Sequence, residues 1–271
     1  MRASPLDAKG RRSALIVLKL GGSLLTEKGA EPVYAEQRAL RLARELADVS
    51  SPLVLVHGTG SFGKPPARKY GYLDGVVPRD KAHIVPEVAA LLLDLRSRVL
   101  SSLRSAGLPV VSLDSLEIFH RRAGAVTIRN MAPVAELLDR GLVPVLSGAL
   151  VVDQEGGFAV ASSDVLAALS AVELGASRLI FGTDSPGVVR NGDDDAPIDE
   201  FVEGRDDLAL LIRADDGDVS GGMAGKLRAG LAAARAGIDT LIVDGRVPGR
   251  LAQTLAGYEV PVTKLRANLD S

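Results

Sequence analysis

Short apolar runs recur along this chain with stretches of helical periodicity between them, and that alternation constrains the fold more than any other feature. The runs ALIVLKL (14–20), LVLV (53–56), PVVSL (109–113), VPVLSG (143–148), RLIFGTD (178–184) and TLIV (240–243) are too short for buried helices. Near-continuous apolar character over such lengths is what strands buried on both faces show. Between them, residues 34–49, 85–107, 131–141, 162–175 and 221–237 space their apolar residues as helices do. Pro86 fits the first turn of the second of these, Gly107 its end, and Ser-Ser-Asp at 162–164 is an N-cap signature. A last helix over VPGRLAQTLAG (247–257) and a last strand over EVPVTKL (259–265) close the chain. One departure is ALVVDQEGGFAVA (149–161), two apolar runs around Asp-Gln-Glu-Gly-Gly, which is hairpin chemistry. The fold class is therefore α/β: a mainly parallel sheet between helix layers, with a small antiparallel element at one rim.

Composition removes several classes of function. The 271 residues are 46% hydrophobic and 24% charged, with a formal net charge of −2, an ordinary globular profile without the basic stripe of a nucleic-acid protein. Aromatics are 3% and Trp is absent, which leaves no stacking platform for single strands. There is no cysteine, so no disulfide framework or thiolate metal site, and His57, His83 and His120 lack ligand spacing. The basic start is followed by an apolar run that Lys19 interrupts, too short for a signal-peptide core. No run reaches the ~18 apolar residues of a membrane span. A cytoplasmic protein without membrane or nucleic-acid partners is expected, with residues 1–13 as a loose polar leader.

In a sheet of this kind ligands sit outside the carboxyl ends of the strands. The segments that follow strands share one character: KLGGSLLTEK (19–28), HGTGSFGK (57–64), GTDSPG (182–187) and, opening a helix, DVSGGMAGK (218–226). Glycine-rich turns at helix N-termini expose backbone N–H groups that favour phosphate, and lysines supply mobile point charges for terminal phosphates. Lys19, Lys28, Lys64 and Lys226 each lie within a few residues of such a loop. Four cations of this kind suit phosphoryl transfer, where catalysis is mostly positioning and electrostatics. Each loop taken singly is an ordinary turn. Neither G-x-x-x-x-G-K-[ST] nor a helix-opening dinucleotide fingerprint is present, since GTGSFG (58–63) runs toward Pro65 and Pro66 and lacks an acidic partner.

Taken in order, the motifs LKLGGSLLTEK, LVHGTGSFGK, LVPVLSGALVVD, SSDVLAALSA, TDSPGV and DVSGGMAGKL resemble the amino acid kinase family, and within it the isopentenyl phosphate kinases, with fosfomycin kinase also similar. The resemblance runs from about Ala14 to Lys264. It implies a single three-layer α/β/α sandwich domain over 14–271, an acceptor-binding N-terminal half, an ATP-binding C-terminal half, and a homodimer. By that resemblance Lys19 and Lys226 clamp the β- and γ-phosphates, Lys28 stabilises the transition state, and Asp164 orients the two clamping lysines. Gly21, Gly22 and Ser23 offer N–H or hydroxyl donors to the phosphates, Gly60 falls to the nucleotide side, and Asp184 and Gly222 line the nucleotide pocket. Gly58, Thr59, Lys64 and Ser163 fall to the acceptor side. Magnesium is expected to arrive with ATP, because no carboxylate cluster forms a dedicated cage.

Departures from the family pattern gather on the acceptor side. Lys64 stands where isopentenyl phosphate kinases and fosfomycin kinase place a histidine against the acceptor's phosphate or phosphonate. Thr59 replaces a middle glycine, Ser163 the glycine before the aspartate, Ala149 an aspartate, and Ser185-Pro186 a Val-Asp pair. The expected activity is ATP-dependent transfer to a small anionic acceptor like isopentenyl phosphate. The alternatives are a kinase of a hydroxyl-bearing specialised metabolite and a non-catalytic nucleotide or metabolite sensor. His57 reads as a buried, hydrogen-bonded strand-end residue, His83 and His120 as surface or supporting residues. The acids at 193–195 read as a solvated loop, and Arg68 and Lys69 either rim the acceptor pocket or face water.

Overall fold

The apolar runs become strands whose alternate residues divide between two cores. The computed structural model describes residues 12–29, 31–189, 197–206 and 222–268. In chain order the elements are β1 (Arg12–Leu20), α1 (Gly22–Leu25), α2 (Glu36–Ala47), β2 (Leu53–His57), α3 (Lys64–Tyr70), β3 (Val76–Val77), α4 (Val85–Ser105) and β4 (Val110–Ser112). There follow α5 (Ser115–Ile118), β5 (Phe119–Arg122), β6 (Ala125–Ile128), α6 (Ala132–Asp139), β7 (Val143–Ser147), β8 (Ala149–Val152), β9 (Phe158–Ala161) and α7 (Ser163–Glu173). The chain continues through β10 (Ala176–Thr183), β11 (Glu200–Val202), α8 (Gly222–Arg235), β12 (Asp239–Asp244), α9 (Arg250–Ala256) and β13 (Thr263–Arg266).

Eight strands form the central sheet in the order β11-β13-β12-β10-β1-β2-β7-β4, parallel from β12 to β4. β13 runs antiparallel to β12, and β11 parallel to β13. On β1, Leu15 and Val17 enter one core with α6, α7 and α8, while Ile16, Leu18 and Leu20 enter the other with α2, α4 and α9. β2 divides in the same way, Val54 and Val56 to one side and Leu53 and Leu55 to the other. A period of two in the backbone thus turns an unpatterned apolar run into the middle layer of an α/β/α sandwich. Because β2 and β10 flank β1 on opposite sides, the chain reverses its winding there. The loops after these three strands splay around a crevice at their carboxyl ends.

Several elements depart from the sequence reading. β1 begins at Arg12, earlier than the expected Ala14, and β10 at Ala176. The hairpin at 149–161 forms as β8 and β9, and β3 joins it to make a separate three-stranded antiparallel sheet. A second hairpin, β5–β6, lies in a region with no strand expectation; its turn places Ala123 and Gly124 at positive φ. The run 58–63 does lead into a helix after all. α3 starts at Lys64 with Pro65 and Pro66 in its first turn, where a missing N–H costs nothing, and ends at Gly71 in the left-handed conformation. The acids at 193–195 and the start of DVSGGMAGK at 218–221 lie outside the described residues.

Candidate active site

Lys19 points out of β1 on the same side as Leu15 and Val17, toward α7 and α8. There its Nζ lies 2.9 Å from Asp164 Oδ1, and the Nζ of Lys226 lies 2.8 Å from the same oxygen. All three side chains are buried to within 7% exposure. Asp164 sits in the first turn of α7, whose N-cap Ser162 accepts the Asp164 N–H at 3.3 Å, so the helix dipole adds to its preference for negative charge. Burial on its own raises this carboxyl; the charges of Lys19 and Lys226 outweigh burial and bring it down to about 2. Lys226, on α8, also lies over the ring of Phe181 at 5.2 Å, a favourable seat for a cation in a dry site. One carboxylate between two ammonium groups leaves a net positive charge facing the crevice, which is the electrostatic requirement for gripping a polyphosphate.

Burial is the main cause lowering the Lys226 ammonium to about 8, with Lys19 adding to the fall and Asp164 opposing it. The sign of the consequence is fixed: as pH rises past that value, the free enzyme loses a cation that binds phosphate. The alkaline limb of kcat/KM for ATP is therefore expected near pH 8 rather than in the ordinary lysine range near 10.4. Lys226→Arg is expected to remove that limb while lowering the plateau, and a limb that stays in place in this variant assigns the titration elsewhere.

The glycines after β1 and β2 make room first for each other. A Cβ on Gly22 would stand 2.7 Å from Gly60 Cα, and one on Gly58 would stand 3.0 Å from Gly22 Cα. Gly60 itself has φ +49, and a side chain there would strike Thr26 Oγ1 and the Gly22 carbonyl. Thr26, which no motif singled out, bolts the two loops together: its Oγ1 donates to Gly22 O at 3.0 Å and accepts from Ser61 N at 3.0 Å. Gly58 N donates to Leu20 O, and Gly21 N to Gly182 O, each at 2.8 Å. The interlocked loops therefore present a fixed set of backbone N–H groups beside the lysines.

A cavity of about 510 Å³ opens over these groups. Every residue expected to act lines it: Lys19, Lys28, Asp164 and Lys226; Gly21, Gly22, Ser23, Gly60, Asp184 and Gly222; Gly58, Thr59, Lys64 and Ser163. Lys28 is mostly exposed and pairs with Asp184 at 3.0 Å, so Asp184 supports that lysine as well as lining the cavity. Asp184 is lowered by Ser23 and Lys28 against an upward push from burial. Gly148 and Arg68 also line the cavity, and so does an apolar group made of Tyr72, Val88, Leu92, Leu150 and Val160. Sequence reasoning missed this apolar wall, because its members come from α4, the hairpin and the turn after α3 and carry no shared motif. Gly148, directly after a strand, was the available signal.

Other candidates fall outside the cavity. Lys69 pairs with Glu87 at 3.0 Å and His83 is exposed, whereas His57 is buried with its Nδ1 3.1 Å from Gly58 O. Among the described residues no group of three or more His, Asp or Glu is placed to hold a metal ion, and no helix is long and apolar enough to cross a membrane.

Comparison with known proteins places this geometry. The amino acid kinase family model matches residues 14–244. The isopentenyl phosphate kinase of Methanothermobacter thermautotrophicus is 34% identical over 262 residues, covering 93% of this chain and 98% of the relative. The isopentenyl phosphate kinase of Methanocaldococcus jannaschii is 30% identical over 230 residues, covering 79% and 85%. An acetylglutamate kinase from Prochlorococcus marinus is 27% identical over 252 residues, covering 87% and 80%. Among solved structures, an isopentenyl phosphate kinase superposes with a TM-score of 0.80 at 29% identity, covering 93% of this chain and 99% of the other. A product complex of T. acidophilum isopentenyl phosphate kinase shares the fold with a TM-score of 0.74 at 21% identity, covering 93% and 100%. With this sheet order, these interlocked glycine loops and this match along nearly its whole length, the chain belongs to the amino acid kinase family.

Proposed function

We propose that this enzyme transfers the γ-phosphate of ATP to a small acceptor that already carries a phosphate and a short apolar body, with isopentenyl phosphate as the first candidate. Membership of the amino acid kinase family makes the chain an ATP-dependent phosphotransferase, and the proposal concerns its acceptor. An oxygen of the acceptor's phosphate attacks Pγ, the bond from Pγ to the β,γ-bridging oxygen breaks, and ADP departs. Lys19 and Lys226, held in register by Asp164, grip the phosphates on both sides of the breaking bond, and Lys28 neutralises charge on the group in transit. Gly22, Ser23 and Gly60 donate to the phosphates, Gly21 lines their site with its own N–H held by Gly182 O, and Asp184 and Gly222 line the ATP side. Asp164 and Asp184 are both engaged by lysines, which fits magnesium arriving on the nucleotide. A homodimer, and a division into an acceptor-binding N-terminal half and an ATP-binding C-terminal half, belong to the same proposal.

The observation that carries this reading is one cavity lined both by the Lys19–Asp164–Lys226 cluster and by the apolar group with Lys64 and Arg68. Cations beside an apolar wall suit an anion with a hydrocarbon body better than a polyhydroxylated alcohol. A coupled ADP-release screen over isoprenoid monophosphates, phosphonates, nucleosides and small alcohols tests it. Turnover selective for an isoprenoid monophosphate is expected; turnover confined to alcohols or nucleosides, or none at all, overturns the proposal. Within the same assay, Lys64→His is expected to change acceptor kcat/KM about tenfold, equivalent to about 1.4 kcal/mol, while the KM for ATP moves less than twofold. Equal effects on both substrates would put Lys64 in the wrong part of the cavity.

A further inference from the structure

Beneath α4, on the side of the sheet away from the lysine cluster, the carboxyl ends of β2, β7 and β4 carry polar side chains into the core. His57 is registered beside Ser147, and Ser112 beside Val145. Partners in parallel register project to the same face, and Leu55 and Val145 on that face pack against α4. Arg96 of α4 lies above them and donates both terminal nitrogens to Asp114 Oδ2 at 3.2 Å. His57 Nε2, Ser147 Oγ, Ser112 Oγ and Arg96 Nε are all buried and have no hydrogen-bond partner among the described residues. Buried polar atoms without a partner are uncommon in a protein interior, and His57 directly precedes the loop 58–63.

His57 is tied both to the turn after β7 and to the loop 58–63. Its carbonyl accepts the Gly148 N–H at 3.0 Å, and its Nδ1 lies 3.1 Å from the Gly58 carbonyl. A carbonyl only accepts, so Nδ1 carries the proton and Nε2 presents a lone pair. Burial, with Arg96 assisting, lowers the imidazole to about 4 although the bond to Gly58 opposes the shift.

We infer that His57 is a positioning residue which, with its proton on Nδ1, holds the Gly58 carbonyl and thereby sets the start of the loop 58–63, Gly58 and Thr59, against the acceptor. The inference rests on the reading of Gly58 and Thr59 as part of the acceptor side of the cavity. The Gly58 carbonyl shares its planar peptide unit with the Thr59 N–H, so the bond from Nδ1 fixes the orientation of the first peptide of the loop. His57 touches neither substrate and takes no part in bond breaking.

The test is a pair of variants and one spectrum. His57→Leu fills the space but leaves the Gly58 carbonyl without its donor. It is expected to raise the KM for isopentenyl phosphate about tenfold, with kcat and the KM for ATP within twofold. His57→Asn, whose amide nitrogen reaches the position of Nδ1, is expected to restore the acceptor KM to within threefold of the parent. Equal damage by Leu and Asn, or equal rises in both KM values, would reduce His57 to a packing residue and overturn the inference. Nitrogen-15 NMR of the unaltered enzyme reads the tautomer without any acceptor: a protonated Nδ1 and a bare Nε2 are expected, and the opposite pattern refutes the inference even if the Leu variant does not fold. Loss of acceptor-dependent ADP release in the parent enzyme would instead defeat the proposed function and leave the tautomer result standing.

Discussion

Asp164→Asn should abolish most activity while keeping the shape of the site. The substitution removes one negative charge from between two buried ammonium groups 2.8 and 2.9 Å away, and leaves the pair facing each other without a counter-ion. Breaking a buried pair by deleting one partner costs about 3–5 kcal/mol, because the remaining charge is stranded rather than merely unpaired. Here one of the lysines is expected to shed its proton, which halves the cationic grip on the transferring phosphate. A fall in kcat of about 10³-fold is expected, since a single electrostatic donor at a transition state is worth about 10²–10³. Melting measured by calorimetry should drop with it, by roughly 5–10 °C for a chain of this size. An Asn variant within threefold of the parent in kcat would mean that Asp164 does not organise the lysines. The assignment of catalysis to this cluster would go with it.

The second large effect is expected from one methyl group. In Gly22→Ala the new Cβ would stand 2.7 Å from Gly60 Cα and closer still to Gly60 N, so backbone meets backbone and no flexible side-chain end can yield. The loop after β1 must then separate from the loop after β2. Overpacking of this kind costs about 3 kcal/mol, and the N–H groups of both loops lose their common focus. Displacement on the order of 1 Å at a reacting centre is worth about 10²-fold in rate, so both substrates should suffer together, in contrast to the acceptor-selective effect of Lys64→His. Gly29→Ala supplies the control: among the described residues nothing lies within 4 Å of its Cβ, and a change within about 0.5 kcal/mol is expected. Equal stability and activity of the two variants, read by denaturant titration and ADP release, would refute the interlocking of the loops.

Much of this molecule was legible in the order of its residues. Runs such as ALIVLKL and LVLV specify strands because β-branched and aliphatic residues without polar alternation suit a sheet covered on both faces. Ser162 announced the start of α7 through a local bond to the Asp164 N–H, and such bonds need no tertiary context. The prolines after GTGSFG were misleading for an equally local reason: Pro65 and Pro66 end most helices, yet the first turn has no partner for their missing N–H groups, so α3 begins there. The β5–β6 hairpin escaped notice because FHRR and AVTI carry too little apolar contrast to stand out.

What the residue order determined by itself was therefore local: which segments extend, which coil, where a helix is capped, and which turns give up their side chains. That Lys19, Asp164 and Lys226 share one oxygen, that Thr26 bolts two glycine loops together, and that an apolar wall from three elements faces the lysines were decided only by the tertiary structure. The physical reason is that strand register and helix packing bring together residues distant in the chain. No local propensity records those meetings, and the long-range burial that fixes them belongs to the whole sheet at once.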